Sequence, residues 1–221
     1  MRSLLAALIA LSVAVPARAA DDLDLPLAPL TTRHWSVATG ESVSTGHDAL
    51  AFEFGWPGLG IGYLHGLSDR ADVGVKFDLL YGDEGTSFTR IGAGLRVPLR
   101  LVVNRRDKLS IELHVEPGLR FYGKRDVRSA DLVIGFPVGA TLGLQATPEL
   151  RLAALFDLQM GVVPTNGGYF EVGPSFGFAA EYAVDRQLLI GLDTRFGPLF
   201  FTGFSDAVFA FRTQVVLGYR L

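Results

Sequence analysis

The chain has 221 residues, 49% apolar and only 19% charged, with a net charge of −3 and a mean hydropathy of +0.31. That hydropathy argues against a water-soluble domain, yet no uncharged apolar run reaches the roughly 18 residues that a spanning helix needs. The acidic balance leaves no basic surface for nucleic acid, and the absence of Cys excludes a disulfide framework and thiolate chemistry. The 26 Gly and 16 Phe suggest instead many short strands, each with one apolar face, separated by turns.

The first 19 residues read as a cleaved secretory signal: Met1 and Arg2 form the positive start, Leu4 to Val15 the apolar stretch, and Ala17-Arg18-Ala19 the small-x-small cleavage site. Arg2 and Arg18 leave with it, so the exported chain is more acidic than the whole. Residues 20–32, with Pro26 and Pro29, have no usable periodicity and read as a flexible periplasmic lead-in. The barrel domain is placed at 33–221. A first strand is expected near Arg33 to Thr39 and a second from about Leu50 to Leu67. In the second, the apolar parity switches at Trp56-Pro57-Gly58, read as a bulge. If those three residues are a turn and the first segment is not a strand, the strand total is unchanged.

From Asp72 onward the alternation is regular through eight segments. Val73, Val75, Phe77 and Leu79 face one way, Lys76 and Asp78 the other, and the same contrast recurs down to Phe209, Phe211, Val215, Leu217 and Tyr219 against Arg212 and Gln214. Hairpin turns fall at Ser68-Asp69-Arg70, Asn104 to Lys108, Thr147-Pro148-Glu149 and Asp185-Arg186 on one end. On the other they fall at Gly82 to Thr86, Lys124 to Ser129, Pro164 to Gly168 and Gly203 to Asp206. The pattern predicts an all-β, antiparallel up-and-down transmembrane β-barrel of ten strands, with eight or twelve as alternatives. Pro98, Pro117, Pro137, Pro174 and Pro198 fall inside these strands and each removes a ladder donor, for which bulges are the expected accommodation.

Three features direct the apolar face toward lipid rather than into a soluble core. Aromatics gather at its two ends as girdles, Tyr81, Phe121, Phe170, Phe200 and Phe209 at one and Tyr63, Tyr182 and Tyr219 at the other. The polar face is rich in Gly, which suits a narrow lumen. Each apolar stripe is long enough to cross a bilayer as a tilted strand.

By the same parity the lumen holds Lys76, Arg90, Arg96, Arg100, Arg120, Arg151, Arg195, Arg212 and Arg220 against Asp78, Glu112, Glu116, Asp131, Asp157, Glu171, Glu181 and Asp193, nine cations to eight carboxylates. Near-balance in so small a barrel predicts a lattice of ion pairs filling the interior rather than an ion-selective field. Arg96 and Arg100 are expected near Glu112 and His114 across the Asn104 to Lys108 hairpin. His114, flanked by Glu112 and Glu116, is a conceivable base or metal ligand. Without a neighbouring Ser or second His it reads as a member of the lattice, and neither a catalytic nor a metal site is assigned. His34, His47 and His65 form no constellation. Gly40 to Asp48 reads as the longest outer loop and the best candidate for a ligand contact.

With its signal peptide, ten amphipathic strands and terminal Leu217 to Leu221, the mature chain resembles the small outer-membrane β-barrel proteins of Gram-negative bacteria, the OmpA/OmpX/OmpW-like class. Its last strand, with Gly218, Tyr219 and Leu221, is similar to that family's assembly signal, although Leu221 stands where the family most often has Phe. The resemblance implies Sec-type export, outer-membrane location, contact with outer-membrane lipid and lipopolysaccharide, and handling by periplasmic chaperones and the barrel-assembly machinery. It implies little about activity. The expected role is that of a monomeric membrane barrel with a narrow, charge-paired lumen, structural or interactive and without a cofactor. A porin-like passive channel for small solutes is the alternative, and an enzyme modifying lipid or lipopolysaccharide the third.

Overall fold

The computed structural model describes residues 35–82, 90–123, 131–165, 168–202 and 207–221. The predicted signal peptide and lead-in, with Arg33 and His34, lie outside the described residues. So do most of the second set of turns.

The strands are β1 Asp48–Trp56, β2 Gly58–Gly66, β3 Ala71–Leu80, β4 Gly92–Arg96, β5 Leu99–Arg106, β6 Leu109–Val115, β7 Gly118–Tyr122, β8 Asp131–Gly135, β9 Val138–Gln145, β10 Leu150–Val163, β11 Tyr169–Ala183, β12 Leu188–Phe201 and β13 Ala207–Arg220. Three pairs, β4 with β5, β6 with β7, and β8 with β9, are halves of single strands, so the wall has ten antiparallel strands. It closes where β13 pairs with β1, from Ala49 opposite Arg220 to Trp56 opposite Thr213, which leaves no free sheet edge.

The three breaks fall at Pro98, Pro117 and Pro137, and they lie side by side. Gly74 N–H donates to Pro98 O (2.9 Å), Val97 N–H to Pro117 O (2.9 Å) and Glu116 N–H to Pro137 O (3.0 Å). Each ring removes a donor, but its carbonyl still serves the neighbouring strand, so the missing hydrogen bonds are confined to one band of the wall. Pro174 and Pro198 stay within continuous β11 and β12. The expected bulges are thus interruptions at three of the five sites.

Two sequence expectations need correction. Trp56-Pro57-Gly58 is the turn between β1 and β2, with a cis Trp56-Pro57 bond, and the parity switch is the reversal of direction there. The expected strand at Arg33 to Thr39 does not form over its described part, because residues 35–43 pair with no strand and lie inside the barrel. The wall therefore starts at Asp48, and the total of ten survives by the alternative route.

On the outward face Phe52, Ile61, Phe77, Leu95, Leu113, Leu142, Phe156, Phe178, Leu192 and Phe211 are all substantially exposed. Among the described residues every exposed charged side chain, Arg106, Asp107, Lys108, Glu149, Asp185 and Arg186, sits in the short turns beside the C-terminus. Phe170 is half-buried and the other seven girdle aromatics are exposed. At the turn end Tyr63 is fixed by its hydroxyl, which donates to Asp48 Oδ1 (2.7 Å), and His65 Nδ1 meets the same oxygen at 2.7 Å.

These turns are locally determined. Asp185 Oδ1 accepts from Gln187 N–H (2.7 Å) and Leu188 N–H (2.8 Å), and the two amides hold its carboxyl below the usual carboxylate range. A depressed folded value gives support above the unfolded pKa of about 4, lost as the pH falls through the folded value. The stability gap between wild type and Asp185→Ala should be constant above about pH 4 and narrow below it, as read by urea unfolding across pH. A gap undiminished at lower pH would refute a charge-dependent cap.

Candidate functional site: the filled lumen

The inward positions of the ten strands carry nearly all the charge of the wall, and the barrel brings them together in three layers. The middle layer is ionic. Arg96 forks onto Asp78 (2.9 and 3.0 Å) and reaches Glu116 at 3.0 Å. Lys76 lies against Glu53 and 3.8 Å from Asp78. Arg195 bridges Asp157 (2.5 Å) and Asp193 (3.1 Å), and Arg212 shares Asp193 at 3.3 Å. His114 is held between Asp157 (2.6 Å) and Glu112 (3.5 Å), so both ring nitrogens face carboxylates. Of the expected neighbours of Glu112, Arg100 comes to 3.9 Å while Arg96 turns to Asp78 and Glu116. Ion pairs at this depth are little screened, and each oxygen left without its cation would be costly.

Toward the β1–β2 turn the lumen holds an apolar cluster edged by two ion pairs. Leu80, Tyr122, Val133 and Val163 pack together with Tyr169 beside them, and Tyr169 meets Phe201 edge-on at 5.7 Å. Arg90 lies over the Tyr122 ring (4.9 Å) and pairs with Asp131 at 2.6 Å; Arg120 pairs with Glu171, also at 2.6 Å. The charge list did not include these apolar residues, which occupy inward positions at strand ends where parity was not followed.

At the C-terminal end the lumen is occupied by residues 35–43. This corrects the reading of Gly40 to Asp48 as an outer loop: Gly40, Glu41, Ser42 and Val43 are buried inside the barrel, at the end bearing the short turns. Glu181 accepts from Val37 N–H (2.9 Å), Ala38 N–H (2.8 Å) and the Thr39 hydroxyl. Arg100 donates to Ser36 O (3.2 Å) and Val37 O (2.7 Å) while paired with Asp72 at 2.6 Å. Glu41 pairs with Arg105 at 2.8 Å and lies 3.6 Å from Arg151, which also donates to Gln145 (2.8 Å) and Thr39 O (3.2 Å). Trp35 and Val43 pack with Ala49, Leu64 and Leu189.

Glu41, Glu53, Asp72 and Arg105 are thus lumen charges absent from the sequence list. Asp72 falls on the polar face of the alternation, opposite Val73, but was left out of the charge count; Glu53 follows from carrying the parity through β1, and Arg105 sits in what reads as a turn. Arg220, counted among the nine cations, is half-buried at the rim. The voids among the described residues include one of about 50 Å³ beside Arg96, His114 and Arg195, one of about 60 Å³ between residues 37–38 and the ionic layer, and one of about 20 Å³ beside Pro174 and Pro198. Each holds a few waters at most. Among the described residues no cluster of His, Asp and Glu has metal-binding geometry. No family model matches the chain, and no curated protein sequence does.

Proposed function

We propose that this protein is an integral outer-membrane barrel whose lumen is occluded, serving a structural or interaction role, as its likeness to the OmpA/OmpX/OmpW-like class implies. The observation that carries the membrane part is the outward wall, apolar over its height with its described exposed charges confined to the turns. A surface of that extent is stable only against another apolar phase. Occlusion rests on the three layers in series. The 50 and 60 Å³ voids are too small for a solute path, which places the passive channel second. Both ring nitrogens of His114 face carboxylates, so this residue lends no support to the lipid-enzyme reading.

Planar-bilayer recording of the refolded mature chain should give no reproducible openings on the nanosiemens scale. Steady openings of that size would refute occlusion and favour the channel. Heat-modifiable gel migration and recovery in the outer-membrane fraction test the fold and location together; recovery in the periplasmic soluble fraction would reject the membrane reading.

A further inference from the structure

Residues 35–43 are held in an unusual way for part of a barrel. Among the described residues, none of their backbone groups bonds to a backbone group of the wall. Their main chain is read instead by buried, charged side chains: Glu181 takes two successive amides, and Arg100 and Arg151 take carbonyls. The wall is also hollowed to fit. A Cβ on Gly143 would overlap Thr39 O, and one on Gly218 would come within 2.8 Å of the Trp35 ring. The segment is bent as it is held: residues 37–40 turn, Gly40 has φ +78°, and the Ser36 hydroxyl donates to Glu41 O (3.1 Å) and accepts from Glu41 N–H (2.9 Å), so the wall recognises a peptide in this bent form.

Sequence enters through several side chains: the Thr39 hydroxyl donates to Glu181, and that of Ser42 donates to Asp69 O (2.7 Å) and accepts from Arg105 (3.0 Å). Glu41 pairs with Arg105, and Trp35 and Val43 fill the apolar recess at Ala49, Leu64 and Leu189. The fit is incomplete. Arg105 is 3% exposed, yet its Nε and Nη1 have no partner, Arg100 Nε has none, and the 60 Å³ void adjoins Val37 and Ala38. Buried guanidinium capacity is left over beside the one carboxylate the segment supplies.

We infer that the C-terminal-side half of the lumen is a binding site for a bent peptide that carries a carboxylate, now filled by the chain's own residues 35–43, and that this occupant exchanges with a peptide supplied from outside. The site is complete within one barrel in detergent, so it stands or falls separately from the membrane reading. Residues 45–47, exposed between the segment and β1, tether the occupant to the wall, Gly46 N–H donating to Gly66 O (3.1 Å) and Gly66 N–H to His47 O (2.9 Å). Covalent attachment gives it an effective concentration in the millimolar range, so a free peptide competes only once the tether is cut.

The experiment inserts a site-specific protease sequence between Thr45 and Gly46 of the full mature chain, an exposed tip where insertion is tolerated. The barrel is folded, cut, and mixed with a fluorescent peptide of residues 35–47. Saturable uptake with release of the cut fragment is expected. A peptide carrying Glu41→Gln should bind about tenfold or more weakly, since it loses a buried charge-assisted contact. Equal binding of the Glu41→Gln and scrambled peptides would overturn the assignment, as would a fragment that never exchanges or one that leaves without any peptide replacing it. If the insertion prevents folding, hydrogen exchange on the unaltered chain decides: Val37 and Ala38 amides should exchange at least a hundredfold faster than those of the β10–β11 ladder. Equal protection of both would overturn it.

Discussion

Asp157→Ala is expected to remove about 3–5 kcal/mol from the unfolding free energy, the cost of leaving buried charge without its partner. Asp157 is 1% exposed and carries two cations at once, His114 at 2.6 Å and Arg195 at 2.5 Å. Removing it leaves Arg195 to share Asp193 with Arg212, and leaves His114 with Glu112 alone. The cost is one of desolvation, so deleting the cations too should restore most of the loss. The triple variant Asp157→Leu, His114→Leu, Arg195→Met is expected to regain most of the stability. Urea unfolding, followed by the heat-modifiable gel band, measures both. A loss below about 1 kcal/mol for the single variant would show water entering the layer and solvating the cations, which is incompatible with a sealed lumen.

The ionic layer was legible because the period of two is strict where charge marks one face: from Asp72 on, a single inward Arg or Glu fixes the register of its whole strand. The β1–β2 hairpin was legible as a parity switch but not as a reversal, since a bulge and a tight turn at Trp56-Pro57-Gly58 leave the same pattern. Residues 35–43 were not legible at all. Trp35 and Val37 against Ser36 alternate like a strand, and Gly40 to Ser44 reads like a loop; nothing in either pattern encodes that a segment lies within a lumen. The complementary signal was in the wall. Glycine on the polar face does make room for charged side chains, as at Gly161 beside Glu171 and Gly177 beside Arg195, but at Gly143 the space is shared by Arg151 and the backbone of residue 39, and at Gly218 the ring of Trp35 enters it. Arg105 escaped for another reason: β5 runs to Arg106 through a register shift between Val102 and Asn104, so it faces inward where a turn was expected.

Phe77→Arg tests what surrounds the barrel. Phe77 lies midway along the outward face of β3, opposite Ile61 on β2 and Leu95 on β4, and is 43% exposed. In a bilayer that position is near the midplane, where an arginine on the lipid face costs about 2–4 kcal/mol. Leu67→Arg, at the rim beside the Ser68 to Arg70 turn, is exposed to a similar degree but should cost about 1 kcal/mol or less, because its guanidinium reaches the headgroups. Both variants are compared with wild type by urea unfolding from lipid vesicles. Water around the wall would make the two sites alike, each within about 0.5 kcal/mol of wild type, since a surface Phe gains nothing from solvent that an Arg lacks. A depth-dependent cost therefore requires an apolar phase around the middle of the barrel, and equal costs at the two positions would exclude one.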